Sequence, residues 1–187
     1  MAAQAVIPTL KAGRISAAAI AIVLEAATCL PSMAAASQVA APLDGAGTVH
    51  VRGLDHRAAT LLDGGRNRSA TFRRLCDTLE QSDVIVLVKT GSLKTPAQTM
   101  FVTASPGARF VRITLGLPEM DDVLIAWLAH ELQHAVEIAS APEVISGAAM
   151  FDFFCRYGQL IPSRGPCTRE AQRVRNVVAY ELMEGLE

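Results

Sequence analysis

The sequence predicts an α+β domain: a small mixed sheet with a hairpin, packed on one long buried helix and followed by C-terminal helices. Three observations carry this. Val84 to Val88 is an unbroken, mostly β-branched apolar run, which reads as a strand. Two alternating stretches, 99–103 and 110–115, flank the turn signal Ser105-Pro106-Gly107-Ala108 and read as an antiparallel hairpin. From Asp121 onward the apolar spacing is helical almost to the end of the chain.

Taken in order, Ser69 is an N-cap for a helix running to about Gln81, with Phe72, Leu75, Cys76 and Leu79 on its buried face. The run 84–88 follows, and five consecutive apolar residues predict a strand buried on both faces. After the hairpin, Pro118 and Asp121-Asp122 open a long helix from Val123 to about Ser140. Pro142 closes it and is expected to start the next helix, with Val144, Ala148, Phe151 and Cys155 on one face and Gly158 as its stop. A Pro/Gly loop, 159–167, leads to Thr168. This residue caps a last helix with Ala171, Val174, Val178 and Leu182 on one side.

The front of the chain has a different character. Lys11 and Arg14 precede an apolar stretch, Ile15 to Leu24, and small residues follow at Ser32 to Ala36. This is the pattern of a secretory signal over residues 1–36, followed by a flexible lead-in over 37–49 and a folding domain over 50–187. It predicts an exported protein, periplasmic or secreted. The apolar run is short of the ~20 residues needed to span a bilayer, so no stable membrane span is expected after cleavage. Cys76, Cys155 and Cys167 would remain in the mature chain, an odd number in an oxidising compartment. The full 187 residues hold 17 Lys+Arg against 18 Asp+Glu, without the basic excess of a nucleic-acid binder. Hydrophobic residues make up 51%, which excludes a chain disordered throughout.

One constellation carries chemistry. Within the long helix stands His130-Glu131-Leu132-Gln133-His134, an H-E-x-x-H. Residues four apart share a helix face, so both imidazoles can bind one Zn²⁺ from the same side. Glu131 is turned about 100° from His130, which puts its carboxylate beside the metal rather than on it. There it can take a proton from a zinc-bound water. Trp127, Leu128, Ala129, Leu132 and Ala135 surround the motif, so the helix is expected to be buried. Burying two imidazoles and a carboxylate is costly unless each has a partner.

On this motif the chain resembles the zincin superfamily of metallopeptidases, as a small exported bacterial member. The resemblance covers Ser69 to about Leu182 and implies a helix, a small sheet ending in a hairpin, the active-site helix and a later helix carrying the third ligand. It implies a zinc-dependent hydrolase acting on a peptide or protein substrate, with Glu131 as general base. Residues 135–142 lack the Gly and His of the metzincin branch, so the gluzincin-like form, with a later Glu ligand, is the nearer one. Glu143, Glu170 and Glu181 are its possible positions, and Asp152 is a further carboxylate. Glu170 lies beyond a loop long enough to bring it round. Cys167 is its equal rival, since Zn²⁺ accepts a His₂Cys set and the start of a helix suits a thiolate.

Glu137, three residues after His134, is placed to orient that ligand. Tyr157 and Tyr180 read as packing residues, His50 and His56 as surface ones, and Arg66, Arg68, Arg73 and Arg74 as a solvated face. A second reading of different class stands beside the hydrolase: a zincin-fold protein that binds zinc structurally, or serves as a binding module, without turnover.

Overall fold

The computed structural model describes residues 49–116, 120–161 and 165–185. The signal and nearly all of the lead-in expected from the sequence lie outside the described residues. Residues Gly45–Glu187 form one unit, and it is mixed α and β. Among the described residues no helix is long and apolar enough to cross a membrane.

The first two elements fall where the sequence shows little pattern. Strand β1 (Val51–Gly53) leads into helix α1 (His56–Arg68). Asp55 caps α1 by accepting from the Ala58 N–H at 2.8 Å, while its other oxygen accepts from the Thr90 N–H at 2.7 Å. One side chain thus starts the helix and fixes it to a strand. Leu61, Leu62 and Gly65 face inward. Gly65 has to be glycine, because a Cβ there would lie 2.7 Å from the Phe72 ring.

Helix α2 (Ala70–Glu80) starts at Ser69, whose hydroxyl accepts from the Phe72 N–H at 3.0 Å. Strand β2 (Val84–Gly91) and the hairpin β3 (Ala97–Ser105) and β4 (Ala108–Gly116) complete a four-stranded sheet in the order β1-β2-β4-β3. β2 runs parallel to β1 and β4, and β3 is an antiparallel edge. At the hairpin turn Gly107 has φ +81°, which type II turns require at this position. Val84, Val86 and Val88 are buried, but Ile85 and Leu87 are only half-buried. The expectation of burial on both faces is therefore corrected. Helices pack on one face of the sheet, so the pleat sends alternate side chains away from them.

Helix α3 (Asp121–Ala139) lies across the sheet and is buried almost all round, as a helix apolar on every side must be. Leu124, Leu128 and Leu132 are fully buried, each contributing about 1.5–3 kcal/mol by leaving water. Its first turn carries Asp121 and Asp122, which suit the positive end of the helix dipole. They pair with Arg57 and Arg68 of α1. Arg68 also donates to the Leu182 carbonyl at 3.0 Å, so it is a tie between helices rather than part of a solvated face.

Helix α4 (Gly147–Tyr157) begins five residues later than Pro142 suggests, capped by Ser146 and stopped at Gly158. Its inward residues are Phe154, with Phe153 and Met150 half-buried; Phe151 and Cys155 are exposed. The expected loop over 159–167 contains a short antiparallel pair, β5 (Gln159–Ile161) and β6 (Gly165–Cys167). Helix α5 (Arg169–Glu184) then packs on α3, with Ala171, Val174, Val178 and Leu182 buried as expected.

Glu181 of α5 is a helix cap. It accepts from the Ser69 hydroxyl, from the Thr71 N–H at 3.1 Å and from the Thr71 hydroxyl at 2.7 Å. Burial pushes its carboxyl upward, but these hydrogen bonds outweigh it and hold it below the ordinary 4.5. A depressed carboxyl adds stability that is fully present above 4.5 and is lost as pH falls through the lower folded value. Glu181→Gln should lower the melting temperature at neutral pH and do so less near about pH 3. Equal losses at both pH values in thermal melts would remove this role.

Candidate metal centre

His130 and His134 stand one turn apart on α3, both 6% exposed, with ring centroids 4.9 Å apart and planes perpendicular. Cys167, at the end of β6, brings its Sγ to 3.4 Å from His130 Nε2. One ligand atom from each of the three lies within 4.8 Å of the other two, and all three residues are buried. Zn–N bonds of about 2.0–2.1 Å and Zn–S bonds of about 2.3 Å need ligand atoms at such separations. The donor set therefore fits a metal ion held by three protein ligands.

Cys167 comes to the two histidines through the β5–β6 pair, which the sequence did not signal. Pairing carries the last residue of β6 over the middle of α3, just before the cap Thr168. Glu170, which the sequence ranks equally, is not brought to the cluster. It is turned about 100° from the inward Ala171. Its carboxylate is half-exposed and pairs with Arg173 at the protein surface, which holds it below the ordinary carboxyl range. Glu143 and Asp152 are exposed, and Glu181 is occupied as a cap. Tyr157 and Tyr180 are exposed and line no part of the site; His50 and His56 are remote from it. Cys76, Cys155 and Cys167 are all free thiols.

Glu131 is 7% exposed and does not join the three ligands. Its Oε2 accepts a hydrogen bond from the Thr99 hydroxyl at 2.6 Å, across from the edge strand β3. Sequence reasoning missed Thr99. The only signal available was its place in the alternating pattern of a strand next to the motif helix.

Glu137 is placed as its spacing suggests. His134 Nδ1 and Glu137 Oε2 are 2.9 Å apart. With Nδ1–H donating to the carboxylate, Nε2 is left for a metal. Glu137 Oε1 in turn accepts from the Thr168 hydroxyl at 2.7 Å. The residue next to Cys167 therefore helps orient His134, and two ligands share one support. Burial opposes charge on His134, but hydrogen bonds to Cys167 and Glu137 and the nearby carboxylates outweigh it, and its pKa is pushed up to about 10. Metal binding needs the neutral ring, so uptake displaces a proton from this group. Glu137→Gln should weaken metal binding about 10- to 100-fold, the usual worth of such a partner. Competition with a chelator measures this, and unchanged affinity would remove the role.

The cluster lies in a cleft of about 800 Å³ between the start of β3, α4 and α5. Phe154 of α4 packs its ring edge-on to His134 at 4.7 Å, and Trp127 lies 5.3 Å from His130.

No protein-family model matches this chain, and neither a curated protein nor a solved structure matches it.

Proposed function

We propose that the chain is a zinc-dependent hydrolase of zincin type, a metallopeptidase exported to the periplasm or medium. The observation that carries this is the carboxylate of Glu131, held by Thr99 beside three buried ligands that open on one cleft. Three protein ligands are the mark of a catalytic zinc site, where structural sites close with four. Zinc, when bound, supplies a Lewis acid that lowers the pKa of a water toward about 7. Glu131 takes a proton from the attacking water as its oxygen adds to the carbonyl carbon. It then returns that proton to the amine nitrogen as the C–N bond breaks. The Thr99 hydroxyl, donating to Glu131 Oε2, holds the carboxylate in a fixed orientation for this transfer. Among the described residues β3 is an edge of the sheet, and an extended peptide can add to such an edge by main-chain hydrogen bonds. This favours a peptide over a small ester.

Cys167 also gives weight to a second reading, a zinc-binding module without turnover. A thiolate donates more charge than a carboxylate and makes the metal a weaker Lewis acid. Two measurements test the proposal. Purified protein should hold one zinc per chain and cleave peptides in a chelator-sensitive way. Cys167→Ala should lose stoichiometric zinc while Glu170→Ala keeps it. Full zinc in Cys167→Ala, or zinc without any peptide cleavage, would overturn the ligand set or the hydrolase respectively.

A further inference from the structure

The cleft above the ligands has an uneven charge. Its lining includes the cations Lys94 and Arg175, and among the described residues its one carboxylate is Glu131, which Thr99 already engages. Arg175 lies on α5 with its Cζ 4.4 Å from the centroid of the Trp127 ring, and that ring is 5.3 Å from the His130 ring. Its guanidinium donates to Asn176 Oδ1 at 3.1 and 3.3 Å. Arg57, Arg68, Arg109 and Arg173 each pair with an Asp or Glu. Among the described residues no carboxylate pairs with Arg175. Asn176 takes the Nε–Nη2 edge, while stacking on Trp127 holds the guanidinium in place; its Nη1–Nη2 end keeps two N–H donors, which match a carboxylate in two parallel hydrogen bonds. The α4 side of the same cleft is apolar, with Met150, Phe151 and Phe154, and Phe151 is 56% exposed.

On the peptidase reading above, we infer that Arg175 determines specificity by binding a substrate carboxylate close to the scissile bond, while an apolar residue of the substrate rests on Phe151 and Met150. The two ring separations put Arg175 within the reach of at most two or three extended residues from His130, at about 3.3–3.6 Å each. The carboxylate can belong to an Asp or Glu side chain or to the chain end, and both present the same chemistry to the fork.

The test uses zinc-loaded Glu131→Gln protein, so that binding is measured without cleavage. The probes are fluorescein-labelled octapeptides with one central Phe, carrying Glu or Gln two or three positions from it, each with a free or an amidated C-terminus. Fluorescence anisotropy gives the affinities. A peptide with a carboxylate in reach should bind about tenfold or more tightly than the neutral amidated one. Arg175→Met, which keeps an apolar stem over Trp127, should erase that preference without weakening the neutral peptide, and Arg175→Lys should restore part of it. Preference confined to the Glu peptides assigns a side-chain carboxylate, and preference confined to free termini assigns the chain end. Equal affinity for charged and neutral peptides, an unaltered preference in Arg175→Met, or no binding by any peptide would overturn the inference. An Arg175-dependent preference in a protein that cleaves nothing would sink the hydrolase and keep the carboxylate site. Cleavage indifferent to carboxylates would do the reverse.

Discussion

Glu131→Gln should leave one zinc per chain and cut peptide turnover by ~10²-fold or more, the typical worth of a positioned general base. Glu131 stands beside His130, His134 and Cys167 without joining them, so the metal has no reason to leave. The amide is nearly isosteric and can still accept from Thr99, so the fold should survive and the loss should be chemical. Thr99→Val gives a graded control. It removes the 2.6 Å hydrogen bond that fixes one carboxylate oxygen, and a bond to a charged group is worth about 1.5–3 kcal/mol. Its effect should fall on kcat more than on KM, because it acts through the geometry of Glu131. Metal analysis and steady-state kinetics on the same preparations decide the matter. Undiminished turnover in Glu131→Gln would end the hydrolase reading and leave the binding module.

Arg109→Ala should destabilise the fold by about 1–3 kcal/mol, the cost of leaving buried carbonyls without donors. Arg109 sits on β4, 4% exposed, beneath the end of α3. Its guanidinium holds Asp83 through two bonds of 2.7 Å. It also donates to the carbonyls of Ile138 at 2.8 Å, Ala141 at 2.7 Å and Val144 at 3.3 Å. A helix ends with carbonyls that lack partners in the helix, and here one buried cation supplies several. Removing it strips donors from buried carbonyls and frees the end of the helix that carries His130 and His134. Arg109→Lys keeps the charge but not the fork, and should recover only part of the loss. Chemical denaturation measures both variants. A change of under about 1 kcal/mol in Arg109→Ala would show that water replaces these bonds at little cost.

Glu131, His130 and His134 were legible because a single helix carries all three, and helical geometry converts their spacing directly into a shared face and an offset. The hairpin, the caps Ser69 and Thr168, and the inward faces of α2 and α5 were legible for the same reason, since each depends on residues within one or two turns. β1 and α1 were not, because their signal is weak in apolar content and one of their anchors is the long-range bond from Thr90 to Asp55.

The sequence by itself therefore determined that the chain has an α+β order of elements and a face with His130 and His134, Glu131 offset from it, on one buried helix. It left Glu170 and Cys167 equal, because a ligand supplied from another element depends on how far a loop folds back. Tertiary structure separates the two in space: the pairing of β5 with β6 brings Cys167 beside the histidines of α3 and leaves Glu170 at the surface with Arg173. It also joined Thr99 to Glu131, Thr168 to Glu137, and Arg109 to the end of α3. Each of these contacts links residues about 30 positions apart. Local periodicity carries no record of such distances; they are set by how sheet and helices pack to bury one shared core.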